Sequence, residues 1–525
     1  MRSRFGVGVV VAAFAVLAVV FIPAAVGSPA GAAQAIAHLN LRTHSMYGTL
    51  DPGYTQNCYS PYCSLIYERL LRVDDDGKLL PGLAVSYRNP VPDTYDFTLR
   101  RGVRFWDGAE MTADDVVNSL NYERYPKFNS AIALHNVKNV RALGRYKVRL
   151  SLKHADASFA AQLAIFGSIF EKKFQQQAGA DFGKPGTLTM ATGPFRPTSF
   201  DGKSKLELAA NPRWWGGKVN IQRVTVSLIA DDTAAALAIR SGQIDAGAGY
   251  GDPRAMASAL GSGGTVYRVT WGTSHKWFSL NTRKAPFDDV HVRRAMSYAT
   301  NRTELVAAGG GGTPLFTMIT PVQLLSVASA AQVNALMKTL NLYPFSLAKA
   351  RQELAQSKVP NGFSTSINCP PFGVQECQVW AGQMAKIGIK IQVNAVDVLK
   401  YVNEVYGATK DFSFIYGYIP GNTDPNSLLS FSLGSSQLSQ LNAAQWAPAD
   451  VDRLLNEGVA TLNKAKRFAV YSQILKRLSQ DAPYVPYALP VYSIMLSDKY
   501  TYPGISKLRN EIAFSEPWIL KLRPK

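Results

Sequence analysis

Residues 67–122 read YERLLRVDDDGKLLPGLAVSYRNPVPDTYDFTLRRGVRFWDGAEMTADDVVNSLNY, and their local patterns decide the fold class. Tyr67-Glu68-Arg69-Leu70-Leu71 closes a helical turn. Leu79 to Ala84 is a loop with a Pro81-Gly82 turn, from which helix is excluded. Tyr95, Phe97 and Leu99 alternate with Asp96, Thr98 and Arg100, the period-2 pattern of a half-buried strand. Arg101-Gly102 turns the chain into a second strand, Val103-Arg104-Phe105, ended by Asp107-Gly108. Thr112 and Asp115 form a capping box: hydroxyl and carboxylate satisfy the first amides of a helix carrying Val116, Val117 and Leu120.

The spelling goes further than the elements. "LLPGLAVSY", "YDFTLRRGVRFWDG" and "MTADDVVNSL" closely resemble the signature region of family 5 extracytoplasmic solute-binding proteins, the peptide/nickel-type receptors of bacterial ABC importers. The resemblance implies an α/β, two-lobed periplasmic-binding-protein-like fold of class II type with an additional inserted α+β domain. It also implies hinge closure on a small solute, most simply an oligopeptide, and delivery to ABC permease transmembrane subunits with their ATPase subunits. We expect the inserted domain at 61–189, lobe I at 34–60, 190–270 and 485–525, and lobe II at 271–484. A monomer with no cofactor and no nucleic-acid partner is expected.

Upstream, Met1-Arg2-Ser3-Arg4 is a basic start and Phe5 to Ile22 is almost wholly apolar; Pro23 breaks it and small residues follow through Ala33. Residues 1–33 therefore read as a secretory signal peptide, cleaved after Gly27 or within Ala30 to Ala33. The alternative is an uncleaved anchor, since about 18 apolar residues just span a bilayer. No cysteine follows the apolar stretch, which argues against a lipoprotein. An exported chain, in the periplasm or on the envelope exterior, is expected. Ile36 to Leu41 reads as a first strand. The polar loop Thr43 to Pro52 follows; by the resemblance it lies at the ligand cleft and offers Tyr47, Gly48 and Thr49, while Asp51-Pro52 shapes the turn.

A chain of 525 residues exceeds one ordinary core, and 47% hydrophobic with 18% charged residues describes a folded protein. The formal charge is +19, from 56 Lys+Arg against 37 Asp+Glu. With no basic run and no arginine-rich helix, that charge reads as a solvated basic surface rather than a nucleic-acid site.

Downstream, Val148, Leu150 and Leu152 mark one face of a strand, and Phe159 to Phe174 is apolar at helical spacing. Val224, Val226 and Leu228 alternate, Asp231 or Asp232 caps a helix with Leu237 and Ile239, and Gly242 suits a left-handed cap before Ile244-Asp245. That strand–helix–strand order predicts parallel pairing. "TGPF", "NPRWWGGKVNIQRV" and "AIRSGQIDAG" again resemble the family, and Trp214-Trp215 read as packing rather than ligand stackers. Lys276 to Asn281 is a strand; Val292, Ala295, Met296 and Ala299 share a helix face. Gly309 to Gly312 lack the Lys and Ser/Thr of a phosphate loop and read as a flexible loop. Gly362 to Val393 gives a second strand–helix–strand unit, Asp450 caps a long amphipathic helix, and "DAPYVPYALP" resembles the family's return crossing to the first lobe. The resemblance covers roughly residues 37 to 500.

Of the four cysteines, Cys58 and Cys63 lie five apart and Cys369 and Cys377 eight apart. In an exported chain two local disulfides are the favoured reading; a zinc site is the rival, without CxxC spacing or a nearby histidine.

Six histidines form no HExxH and no close pair, and no GxSxG elbow or Walker loop appears. A catalytic constellation is therefore not legible, and we expect a binding protein rather than an enzyme. A binding site needs a concave surface with a few converging polar groups. The candidate is Phe412 to Asn426, where aromatics run into a Gly/Pro/Asn loop. It resembles the family's "GW…GD…DPDN" segment, in which an aspartate pairs with the ammonium of a bound peptide. Here Tyr418 stands in the tryptophan's place and Gly421 in the aspartate's. That departure removes a charge-assisted contact worth roughly 1.5–3 kcal/mol. Asn422 and Asp424 complete the candidate loop, with Trp271, Trp277, Tyr416 and Tyr418 as its aromatic lining. Opines, glutathione, oligosaccharides, haem and metal chelates remain the alternatives to a peptide, and a non-transport sensor or chaperone on the same fold the alternative to a transport receptor.

Overall fold

Apolar residues at positions 36, 39 and 41 bury the strand Ile36–Thr43 at the middle of the main sheet. It pairs in parallel with Ile221–Leu228 on one side and Ala246–Gly249 on the other. Between those partners runs the helix Asp232–Arg240, capped by Asp231, whose carboxylate accepts from the Ala234 amide at 2.7 Å. Gly242 adopts a φ of 79° in the turn that follows. The strand–helix–strand unit is thus parallel as expected, but its two strands flank Ile36–Thr43 instead of pairing with each other. The computed structural model describes residues 35–54, 62–74, 78–128, 130–249, 251–270, 272–406, 414–419, 423–438, 441–505 and 517–525. The expected signal segment, Cys58, Trp271, Gly421 and Asn422 lie outside them.

The strand Tyr484–Ser497 joins the two halves of the molecule. Its last residues pair antiparallel with Ala246–Gly249 and with Gly264–Thr270; its first pair with His275–Leu280 and Gly312–Pro314. One ten-stranded sheet results. The buried apolar side chains nevertheless divide. One cluster takes in residues from Ile36 to Val269, including the inserted strands, and resumes at Tyr492; two others lie wholly within 277–488. In the second half, Ser364–Cys369 and Lys390–Ala395 pair in parallel across the helix Val374–Ala385. Trp380 of that helix stacks on Phe278 with ring centroids 3.8 Å apart. Cys369 and Cys377 are disulfide-bonded with Cα atoms 6.7 Å apart. Cys63 is also disulfide-bonded; the pairing expected for it reaches a residue outside the described ones.

The insertion carries an antiparallel sheet in the order Ala84–Arg88, Thr94–Leu99, Lys147–Leu152, Val137–Gly144, packed by the helix Ala113–Glu123. The Thr112–Asp115 capping box is present. Several local expectations are corrected. Thr94–Leu99 is buried at every position but the half-buried Thr98, and Arg149 pairs with Asp96 at 2.5 and 2.8 Å. Val103–Phe105 is not a strand; only Arg104 bridges to Glu110. The helical turn expected over 67–71 ends at Ile66, and Leu71–Val73 pairs with Leu79–Pro81, so part of the expected loop is extended. The apolar run 159–174 is helical only at Phe159–Gln162, and a second helix begins at Lys172; between them Gly167 takes a φ of 85° and Ile169 bridges to Glu68. Asp450 lies inside the first turn of Ala449–Ala460 rather than capping it, with Pro448 before it. The glycine run is a packed connection, not a free loop. Gly310, Gly311 and Gly312 all have φ above 80°, and a side chain on Gly312 would overlap the Leu489 carbonyl.

Candidate functional site

In an open α/β sheet, ligands bind in the crevice outside the carboxyl ends of the strands where the winding reverses. Here that point is the carboxyl end of Ile36–Thr43, flanked by the ends of Ile221–Leu228 and Ala246–Gly249. Arg42 stitches the three together. Its guanidinium donates to the carbonyls of Ile229 (2.6 Å), Ala230 (2.8 Å) and Ala248, and pairs with Asp232 at 2.8 Å, with the side chain fully buried. Beside it burial, reinforced by the Arg42 charge, holds the His44 imidazole below its usual pKa. Sequence reasoning missed Arg42; an arginine ending an apolar strand, with Asp231-Asp232 following the next one, was the available signal.

The loop leaving that strand contains the predicted Tyr47, Gly48 and Thr49. Tyr47 and Thr49 are half-buried and Gly48 is exposed. The Thr49 hydroxyl accepts from the Asp51 amide at 3.0 Å, and Asp51 in turn accepts from Gly53 N at 2.8 Å and Tyr122 Oη at 2.6 Å. The Asp-Pro element thus shapes the turn and ties it to the inserted domain.

The other predicted site residues lie in the second half. His275–Leu280 pairs antiparallel with Phe414–Ile419, setting Tyr418 against Lys276 and Tyr416 against Phe278 along the backbone. The register brings the start of one strand, just after Trp271, beside the end of the other, just before Gly421 and Asn422. Trp277 is a core residue: it is 6% exposed, its indole donates to Ser279 Oγ at 2.8 Å, and its ring fills the space a side chain on Gly417 would need. The hydroxyl–imidazole stretch Thr273-Ser274-His275 is buried, and burial pushes the His275 pKa down to about 3, leaving it neutral. Lys276 beside it is paired with Glu376 at 2.5 Å.

Asp424 is committed elsewhere. Arg467 grips both its oxygens, and Oδ1 also accepts from the Asn426 amide at 2.8 Å, so this carboxylate shapes the loop and is not open to a ligand ammonium. Trp214 and Trp215 are likewise structural: both indoles donate to Glu68, at 3.1 and 2.9 Å, and Thr192 Oγ1 adds a third bond at 2.7 Å. Burial still dominates there and raises the Glu68 carboxyl to about 7. Among the described residues no group of three or more His, Cys, Asp and Glu forms a metal site, and no helix is long and apolar enough to cross a membrane.

Comparison with known proteins agrees with this architecture. Haem-binding protein A of Haemophilus influenzae is 26% identical over 477 residues, 84% of each chain. Di/tripeptide-binding protein 2 of Pseudomonas aeruginosa is 25% identical over 455 residues, 79% of this chain and 81% of its own. The ABC transporter-associated periplasmic binding protein DppA of Helicobacter pylori, solved in complex with the peptide STSA, superposes with a TM-score of 0.72 at 22% identity, covering 94% of this chain and 98% of that one. Residues 78–440 match the bacterial extracellular solute-binding proteins, family 5, middle region. A match over that span, more than half of the chain, establishes that the protein belongs to the family 5 bacterial extracellular solute-binding proteins.

Proposed function

We propose that this chain captures an oligopeptide between its two lobes and hands it to an ABC permease energised by ATPase subunits. The lobes are taken as 34–60 with 190–270 and 485–525, and as 271–484, with 61–189 inserted. The observation that carries the reading is the juxtaposition of two elements. The crevice at the carboxyl end of Ile36–Thr43 and the end of Phe414–Ile419 are linked through strands that pair along Tyr484–Ser497. Rotation of one lobe against the other closes such a cleft without repacking either core. No covalent chemistry is involved; backbone-directed hydrogen bonds and permissive pockets hold the solute, and the receptor works as an exported monomer.

A second reading is a non-peptide solute on the same scaffold. It is favoured by Gly421, where the resembling family pattern has its ammonium-binding aspartate. Native mass spectrometry of the gently purified protein separates the two. Co-purifying peptide masses support the first reading, and a sugar, tetrapyrrole or chelate mass replaces it with the second.

A further inference from the structure

A cavity of about 1010 Å³ lies beside the interlobe cleft, between the inserted sheet and the second lobe. That is the size of a complete small-molecule site, for which about 300–1,000 Å³ is usual. It adjoins the loop of the candidate site, because Thr423 and Asp424 form part of its wall. Resting on the peptide reading above, we infer that the cargo is longer than a di- or tripeptide, with an apolar carboxyl-terminal segment running into this side gallery.

Three observations carry this. First, four of its lining side chains are large and apolar yet exposed: Val85 at 41% and Tyr87 at 38% on the inserted wall, Leu325 at 47% and Leu462 at 41% on the facing one. Facing apolar walls that stay wet are stabilised by an apolar occupant. Second, the two walls are already held at a working distance. The Ala157 amide of the insertion donates to the Val459 carbonyl of the second lobe at 2.7 Å, so the gallery is a feature of a docked arrangement. Third, the charges of the lining are one-sided. Asp424 and Arg467 neutralise each other in a buried pair, and Lys78 on the inserted wall is an exposed cation. Lys464 is a second exposed cation, on the facing wall. A peptide's own α-carboxylate at the end of an apolar segment complements that ammonium.

The test is isothermal calorimetry with three probes: an apolar dipeptide, an apolar octapeptide, and the same octapeptide amidated at its carboxyl terminus. Wild-type protein is compared with Leu462→Asp and Lys464→Glu, both at exposed positions, with folding checked by thermal melts. The octapeptide is expected to bind at least tenfold tighter than the dipeptide. Leu462→Asp should weaken octapeptide binding about tenfold more than dipeptide binding. Amidation and Lys464→Glu should each weaken it about threefold, and together no more than either alone. Equal effects of Leu462→Asp on both lengths, or no gain with length, overturn the gallery while leaving the peptide reading intact. Binding of neither peptide overturns the peptide reading itself, and the gallery with it.

Discussion

Arg467 holds Asp424 in a two-point ion pair, Nη1 to Oδ2 at 2.9 Å and Nη2 to Oδ1 at 2.7 Å, with both side chains under 10% exposed. Tyr471 Oη accepts a further bond from Nη2 at 2.8 Å. Removing one partner strands a charge out of water. Arg467→Ala is therefore expected to lower stability by about 3–5 kcal/mol in urea unfolding. The double variant Arg467→Met with Asp424→Asn, which leaves no unpaired charge, should lose distinctly less. An equal loss in both would mean that packing, not charge pairing, dominates at this site.

Glu68 makes stability depend on pH in a defined direction. Burial raises its carboxyl from 4.5 to about 7 in the folded chain, so between those values the folded state keeps a proton that the unfolded state has lost. Its contribution to stability is greatest below pH 4.5 and declines as pH rises through 7. The full swing is about 3 kcal/mol. Replacing it by Gln should remove that slope: measured by denaturant unfolding, Glu68→Gln gains on wild type from pH 4.5 to 7.5. A constant difference between the two proteins across that range would disprove the assignment.

Gly421→Asp restores the acid of the resembling family pattern. It is expected to tighten binding of peptides with free amino termini by tenfold or more, the scale of a roughly 1.5–3 kcal/mol charge-assisted bond. N-acetylated peptides should show no gain. Calorimetry on matched pairs decides between this and a loop whose alignment differs.

The Cys369–Cys377 bond closes a loop with a separation of 8 residues between a strand end and a helix. Loop-closure entropy for that length corresponds to about 2–3 kcal/mol. The Cys369→Ala, Cys377→Ala double variant should unfold at correspondingly lower urea concentration. An unchanged midpoint would show that the buried helix packing around Trp380 holds the loop unaided.

Local alternation and caps make much of the architecture legible in the sequence. Thr112 and Asp115 sit in a capping box, Asp231 caps its helix, and Val292, Ala295, Met296 and Ala299 are all buried on one face. What alternation does not carry is pairing at a distance. Asp96 looked like a solvent-facing strand residue because its partner Arg149 is remote in sequence. The glycines 310–312 read as a loose loop because nothing nearby in sequence announces that Pro253 passes against Gly310 and Leu489 against Gly312. The same limit applied to the candidate site. Spacing marked the Asp424 region as polar and loop-forming, but the arginine that takes up its charge lies 43 residues on. Trp277, expected among the aromatic lining, is assigned to the core by its packing against Gly417, which only the strand register provides.

The strand Tyr484–Ser497 has a consequence for the order of events during synthesis. It is an interior member of the sheet in both halves, yet it is made long after the strand Ile36–Thr43 at the sheet's middle. Neither half can complete its sheet while that segment is still inside the ribosome, although N-terminal domains usually fold first as a chain emerges. Both halves of the sheet therefore stay incomplete until Tyr484–Ser497 has emerged.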